Sequence, residues 1–376
     1  MKFVKPGLKL NDTLEVILNE RKKNGAFRFL RTPKEGMIDF ISNDYLGLAK
    51  VRSISENIVE YEENGAGGSR LLSGNKAYHE QLESFLAEYF HSEAALLFNS
   101  GYTANLGVLS CVPQKGDTIY FDELSHMCIK EGVRLSRANY YNFKHNNLSN
   151  LESKMKNATG NIFVVVESVY SMDGDHAPLK ELIPLCEKYN ANLIVDEAHS
   201  TGLYGESGFG LCCDLEIQDK VFARIYTFGK AVGCHGAVVA GSQILKDYLV
   251  NYSRQFIYTT AMNFHSVKII ENAIQYRKKH PEVVEQLTKN ILLFRQSINP
   301  GINKLESFHP IQGIMVQGNE AAIKLANHLN ELGFDMRPIV SPTVPVNEER
   351  IRICLHSFNS TEEIKKLCDA INIYYS

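Results

Sequence analysis

The chain has 376 residues, 44% apolar and 22% charged, ordinary proportions for a globular protein. Forty Lys and Arg against 43 Asp and Glu leave a net charge of −3. With no excess positive charge to hold a nucleic-acid backbone, small-molecule partners are expected instead.

The opening "MKFVKPGLKLNDTLEV" lacks the apolar core of about 7–15 residues that a signal peptide needs. No stretch reaches the ~18 apolar residues of a membrane helix. The eight scattered cysteines form no CxxC pair, so free thiols in a reducing cytoplasm are expected, with neither disulfides nor a metal. Residues 1–50 read as an arm. "NKAYHEQLESFLAEYF" (75–90) has helical spacing, with Tyr78, Leu82, Phe85, Leu86 and Tyr89 on one stripe that core packing explains. From Ala94 on, apolar runs at 94–98, 118–121, 162–167, 192–196, 224–228 and 236–241 read as strands. Several are rich in Val and Ile on both faces, as a sheet covered on both sides requires. The stretches 125–136 and 179–190 between them have amphipathic helix spacing. An α/β, doubly wound domain over 51–275 follows. A long helical stretch from about 261 to 298 leads into a different pattern. Runs at 311–318, 320–333, 334–340 and 350–356, with a helix from Thr361, predict a small α+β domain over 276–376.

Polar residues gather where these strands end, the place where open α/β sheets bind ligands. "NLIVDEAHSTG" closes a strand on Asp196, with His199 three residues later. For Asp196 a helix cap, a metal ligand and a partner for a protonated ring nitrogen are all open, as is a structural role for His199. Lys230, in "YTFGKAVGCHG" (226–236), follows the next strand. Lysine plus carboxylate suits pyridoxal phosphate: the amine forms an imine with the aldehyde, and the carboxylate keeps the pyridine nitrogen protonated so that the ring accepts carbanion electrons. Three features converge on the same cofactor. "NSGYTAN" (99–105) opens a helix whose amides near Gly101 and Tyr102 suit a phosphate. His126, in "DELSHMC", stands past a strand end, where it could stack on an aromatic ring. The hydroxyl of Thr227, three residues before Lys230, could hold the phosphate. "GAGGSRLLSGN" (65–75) is not a dinucleotide loop, because Arg70 stands where the last glycine should be and no buried strand precedes it.

Assembled, these motifs resemble those of the α-oxoamine synthase family, pyridoxal-phosphate enzymes of aminotransferase fold type I. "SNDYLGL" (42–48), "GAGGSRLLSG" (65–74), "SGYTANLGVL" (100–109), "DELSH" (122–126), "ESVYSMDGDHAPL" (167–179), "DEAHSTGLYGESGFG" (196–210), "TFGKAVGCHG" (227–236) and "SPTVP" (341–345) occur in the family's order. The resemblance implies a mostly parallel seven-stranded sheet with a small C-terminal α+β domain. It implies Lys230 as the Schiff-base lysine and Asp196 as the partner of the pyridine nitrogen. His199 would bond the phenolic oxygen, and His126 would stack on the ring. Gly101, Tyr102, Ser171 and Thr227 would be further cofactor contacts. Arg352 would hold the amino acid's carboxylate, with Thr343 and Arg28 as substrate contacts. Thr259 and Thr260 would reach the phosphate of a neighbouring subunit, which implies a cytoplasmic homodimer with shared sites. Asn263, Phe264 and Asn359 depart from the family's usual residues on the substrate side.

Within the family the match is best to the biotin-pathway member. The implied reaction is a decarboxylating condensation of L-alanine with a pimeloyl thioester, of CoA or of a carrier protein, giving 8-amino-7-oxononanoate, carbon dioxide and free thiol. The alternatives are glycine with acetyl-CoA, serine with a long acyl thioester, or a catalytically inactive partner subunit. The imine lysine speaks against the last.

Overall fold

Runs whose every side chain is apolar must be covered on both faces, and here they come together in one sheet. The computed structural model describes residues 9–32, 35–56, 58 and 63–376. Its large sheet has seven strands: β1 Ala94–Phe98, β2 Thr118–Asp122, β3 Asn139–Phe143, β4 Ile162–Glu167, β5 Ala191–Asp196, β6 Ala223–Thr227 and β7 Ala237–Gly241. Their order is β1-β7-β6-β5-β4-β2-β3. Only β7 runs antiparallel to its neighbours, so the sheet is mostly parallel, as expected. Alternate residues feed two cores. Ile119, Ile194, Ile225 and Val239 pack with Val108 and Ile129. Val164, Val166, Leu193 and Val195 pack with Leu151 and Leu182.

Strand β3 was not anticipated. Its sequence, "NYYNF", is polar and only Phe143 is buried, because β3 is an edge strand with water on much of its surface. The expected long helix over 261–298 is two helices, Phe264–Lys279 and Glu282–Ser297. Pro281 explains the break, since it lacks an N–H and disfavours helical backbone at the residue before it. Asn263 caps the first of these helices, its Oδ1 accepting from Ser266 N at 2.8 Å.

The expected stripe on helix Ala77–Tyr89 is shifted. Its buried residues are His79, Leu82, Glu83, Leu86 and Ala87, while Tyr78, Phe85 and Tyr89 are half-buried. Glu83 is tolerated there because Arg70 makes a bidentate bond to it at 2.7 and 3.3 Å, with Lys246 at 3.0 Å. Burial raises its pKa, but the pairing with Arg70 outweighs that and leaves it low. The loop containing Arg70 is folded tightly, for a Cβ on Gly74 would fall 2.1 Å from Gly68 O. Gly68 and Gly74 of "GAGGSRLLSG" therefore serve chain packing.

The described residues fall into two compact units. One comprises those up to Ser42 with Lys289–Leu355 and Asn359–Ser376; the other comprises Asn43–Thr288 with His356–Phe358 and contains the large sheet. The first unit holds an antiparallel sheet of β8 Ile311–Met315, β9 Arg337–Ile339 and β10 Arg350–Cys354, in the order β9-β10-β8. Its helices include Asn319–Glu331 and Thr361–Tyr374. Ile38–Asp39 pairs in parallel with Phe334–Asp335, which ties the early segment into this unit. Among the described residues no helix is long and apolar enough to cross a membrane.

Candidate active site

The carboxyl ends of β1, β2, β4, β5 and β6 open on one cavity of about 220 Å³. Seven of the residues singled out in the sequence line it: Gly101, Tyr102, His126, Asp196, His199, Thr227 and Lys230. Asp196, the last residue of β5, is buried and accepts on both oxygens, from Asn105 Nδ2 at 2.8 Å and Ala198 N at 2.9 Å. A carboxylate so held keeps its orientation.

Lys230 follows β6, with Nζ 2.7 Å from His199 Nε2. His199 Nδ1 is 2.9 Å from the Tyr45 hydroxyl, which donates to Asn43 Oδ1 at 3.1 Å. These contacts form one chain from Lys230 through His199 and Tyr45 to Asn43.

His126 caps helix Met127–Leu135, its Nδ1 accepting from Cys128 N at 3.2 Å. Burial, followed in importance by Asp196 and Lys230 acting in opposite directions, lowers its pKa and keeps the ring neutral. Helix Gly101–Cys111 begins at the cavity, capped by Ser100 Oγ accepting from Thr103 N at 3.2 Å. The first-turn N–H groups of such a helix have no partner within it. A Cβ on Gly101 would stand 2.3 Å from Thr227 Cγ2, so only glycine permits this approach.

Sequence reasoning missed Glu167, Cys128, Ala198 and His235, which also line the cavity, and Asn105, Asn43 and Tyr45, which support it. Asn105 closes the "NSGYTAN" motif, so its position four residues after Gly101 was an available signal. Glu167 read as the end of a strand. It is fully buried and lifted to about 8, first by that burial and then by the charge of Asp196.

Ser171, in the turn after Tyr170, does not line this cavity, and neither do Thr259 and Thr260. Those two follow helix Arg254–Ile257, where Asn99 Nδ2 donates to Thr259 Oγ1 at 3.0 Å and Thr260 O at 2.9 Å. Arg28, Thr343 and Arg352 belong to the other unit. Arg28 Nη2 donates to Thr343 Oγ1 at 3.2 Å, and both line a groove of about 440 Å³ with Arg21, Arg31 and Arg337. Arg352, on β10, pairs in register with Arg337 on β9, and its Nη1 donates to Cys354 Sγ at 2.9 Å.

A mostly parallel seven-stranded sheet with lysine, aspartate and two histidines at its carboxyl edge defines a fold type I transferase. The family described as aminotransferase class I and II matches residues 35–371, and the chain belongs to it. The resemblance to α-oxoamine synthases holds at full length. The 8-amino-7-oxononanoate synthase of Emericella nidulans is 37% identical over 391 residues, 96% of this chain and 95% of the relative. That of Lysinibacillus sphaericus is 36% identical over 339 residues, 88% of this chain and 87% of the relative. Among solved structures, a serine palmitoyltransferase of Sphingomonas wittichii superposes with TM-score 0.90 at 25% identity, covering 97% of this chain and 98% of its own. An 8-amino-7-oxononanoate synthase of Francisella tularensis gives 0.79 at 28% identity, covering 91% and 98%.

Proposed function

We propose that this chain is a pyridoxal-phosphate-dependent C-acyltransferase that condenses L-alanine with a pimeloyl thioester to 8-amino-7-oxononanoate, carbon dioxide and free thiol, a step of biotin biosynthesis. The observation that carries the reading is one cavity that gathers the Lys230 amine, the Asp196 carboxylate and the rings of His126 and His199, in a chain 37% identical to an 8-amino-7-oxononanoate synthase.

The cavity fits the cofactor. Thr227 Oγ1 is buried with no hydrogen-bond partner among the described residues, beside the helix N-terminus at Gly101. A phosphate would satisfy that hydroxyl and the first-turn amides together. Asp196 would hold the pyridine nitrogen, His199 the phenolic oxygen and His126 the face of the ring. Bound at Lys230, the cofactor supplies an electron sink for a carbanion at Cα. Ser171 is carried over as a cofactor contact by resemblance alone.

The chain's own groups supply the rest. Lys230 Nζ, as a free amine, takes the Cα proton and later returns it. His199 Nε2 stands 2.7 Å from this nitrogen. Asp196 is held in place by its two donors. Arg352 is the candidate clamp for the alanine carboxylate, with Thr343 and Arg28 as candidate substrate contacts; holding Cα–H in one orientation is their contribution to rate. We further infer a cytoplasmic homodimer in which Thr259 and Thr260 reach the phosphate in the neighbouring subunit.

A second reading, serine with a long acyl thioester, has one observation in its favour: the higher TM-score to the serine palmitoyltransferase. Thiol release decides between them, measured with alanine, glycine and serine against pimeloyl, acetyl and palmitoyl thioesters. Alanine with pimeloyl is expected to dominate. Turnover mainly with serine and palmitoyl, or with glycine and acetyl, rejects the proposal.

A further inference from the structure

Glu167 and Asp196 end neighbouring strands as register partners, and both side chains line the cavity. Parallel strands lie about 5 Å apart, and two carboxylates so placed in a buried site do not both ionise. Their donors decide which keeps the charge. Asp196 receives a hydrogen bond on each oxygen, from Asn105 and Ala198. Glu167 receives its bond from one backbone group, the N–H of His126. The proton therefore belongs to Glu167.

That bond reaches a residue whose ring faces the cavity. His126 is the cap of its helix, with extended backbone at φ −57° and ψ 154°, so its N–H points away from the helix it starts. The ring is tied separately by Cys128 N at Nδ1. Backbone and ring are thus held from two sides, and Glu167 is the only one of the two holders that belongs to the sheet.

We propose that Glu167 is a positioning residue: as a neutral acid it holds the His126 N–H and thereby fixes where the His126 imidazole stands in the cavity. A buried carboxylate that merely satisfied a stray N–H would leave the ring and the reaction indifferent to its loss. The inference rests on the proposed function only for its readouts in the loaded enzyme; the link between the two residues is tested without cofactor.

The first experiment is NMR of the cofactor-free protein with 15N-labelled histidine, the His126 ring signals being assigned from His126→Gln. Glu167→Gln keeps an oxygen acceptor without charge and leaves these signals in place. Glu167→Leu removes the acceptor and shifts them. In the loaded enzyme, Glu167→Leu lowers kcat by about 100-fold while KM for alanine stays within about threefold, and Glu167→Gln stays within about threefold in both. Wild-type ring signals and kcat in Glu167→Leu overturn the proposal, as does a Glu167→Gln variant as impaired as Glu167→Leu. Should Glu167→Leu not fold, Glu167→Asp replaces it, since its carboxylate is one methylene too short to reach His126 N–H. That variant is expected to shift the ring signals and lower kcat, and wild-type behaviour there is equally fatal. If the wild-type protein binds no pyridoxal phosphate, the functional proposal fails, while the NMR comparison still decides the role of Glu167.

Discussion

Lys230 and His199 stand 2.7 Å apart, at the end of a chain of contacts that runs through Tyr45 to Asn43. In Lys230→Ala, turnover is expected to fall by at least about 10²–10⁴-fold, the range a positioned acid–base group contributes. The visible absorption band formed with pyridoxal phosphate should also vanish; a band that persists refutes Lys230 as the attachment point. Glu167 makes a separate prediction about pH. Its pKa is raised by burial and then by Asp196, so the folded state holds a proton that the unfolded chain gives up. The stabilisation is whole below the ordinary carboxylate range and is lost as pH rises through about 8. Urea unfolding of the cofactor-free protein across that window should therefore show wild type losing stability relative to Glu167→Gln. A difference that stays flat with pH would place the proton elsewhere.

Elements, too, are joined by charge. His145 bridges Asp122, at the end of β2, and Asp175, beyond the turn that carries Ser171, at 2.9 and 2.7 Å. Asn146 adds bonds from its N to Asp122 at 2.9 Å and from its Nδ2 to Asp175 at 2.8 Å. Burial works against a charge on His145, but the two carboxylates outweigh it and lift the ring to about 10. This pKa is raised on folding, so its stabilisation is complete below the ordinary histidine range and disappears as pH rises through about 10. His145→Gln is expected to cost about 2 kcal/mol near neutral pH, the scale of a charge-assisted bond, and much less at about pH 11. Equal costs at both pH values would show that His145 acts without its charge. None of this cluster was visible beforehand, because Asp122, His145 and Asp175 are far apart in the chain. β3 was equally hidden, since an edge strand needs no apolar pattern. The inner strands were legible to within a residue or two, because full burial forces apolar runs.

On the scale of the whole molecule, helix Leu10–Lys23 has no buried residue, and Leu10, Leu14, Ile17 and Leu18 form an exposed apolar stripe. Such a stripe favours contact with another chain, in keeping with the proposed homodimer. Light scattering is expected to give twice the mass of one chain, and Leu14→Glu with Ile17→Glu to shift it toward that of one. A wild-type protein of single-chain mass would dispose of the shared-site proposal.

The sequence by itself determined the doubly wound sheet and seven residues of the cavity, Gly101, Tyr102, His126, Asp196, His199, Thr227 and Lys230. Each sits at or just past a strand end, and strand ends follow from hydrophobic period, a local property of the chain. Only the tertiary structure decided the supports. Glu167 meets His126, Asn105 meets Asp196, and Tyr45 meets His199 across 41, 91 and 154 residues of chain. Those meetings depend on strand order and on how each helix crosses the sheet, neither of which leaves a period in the sequence.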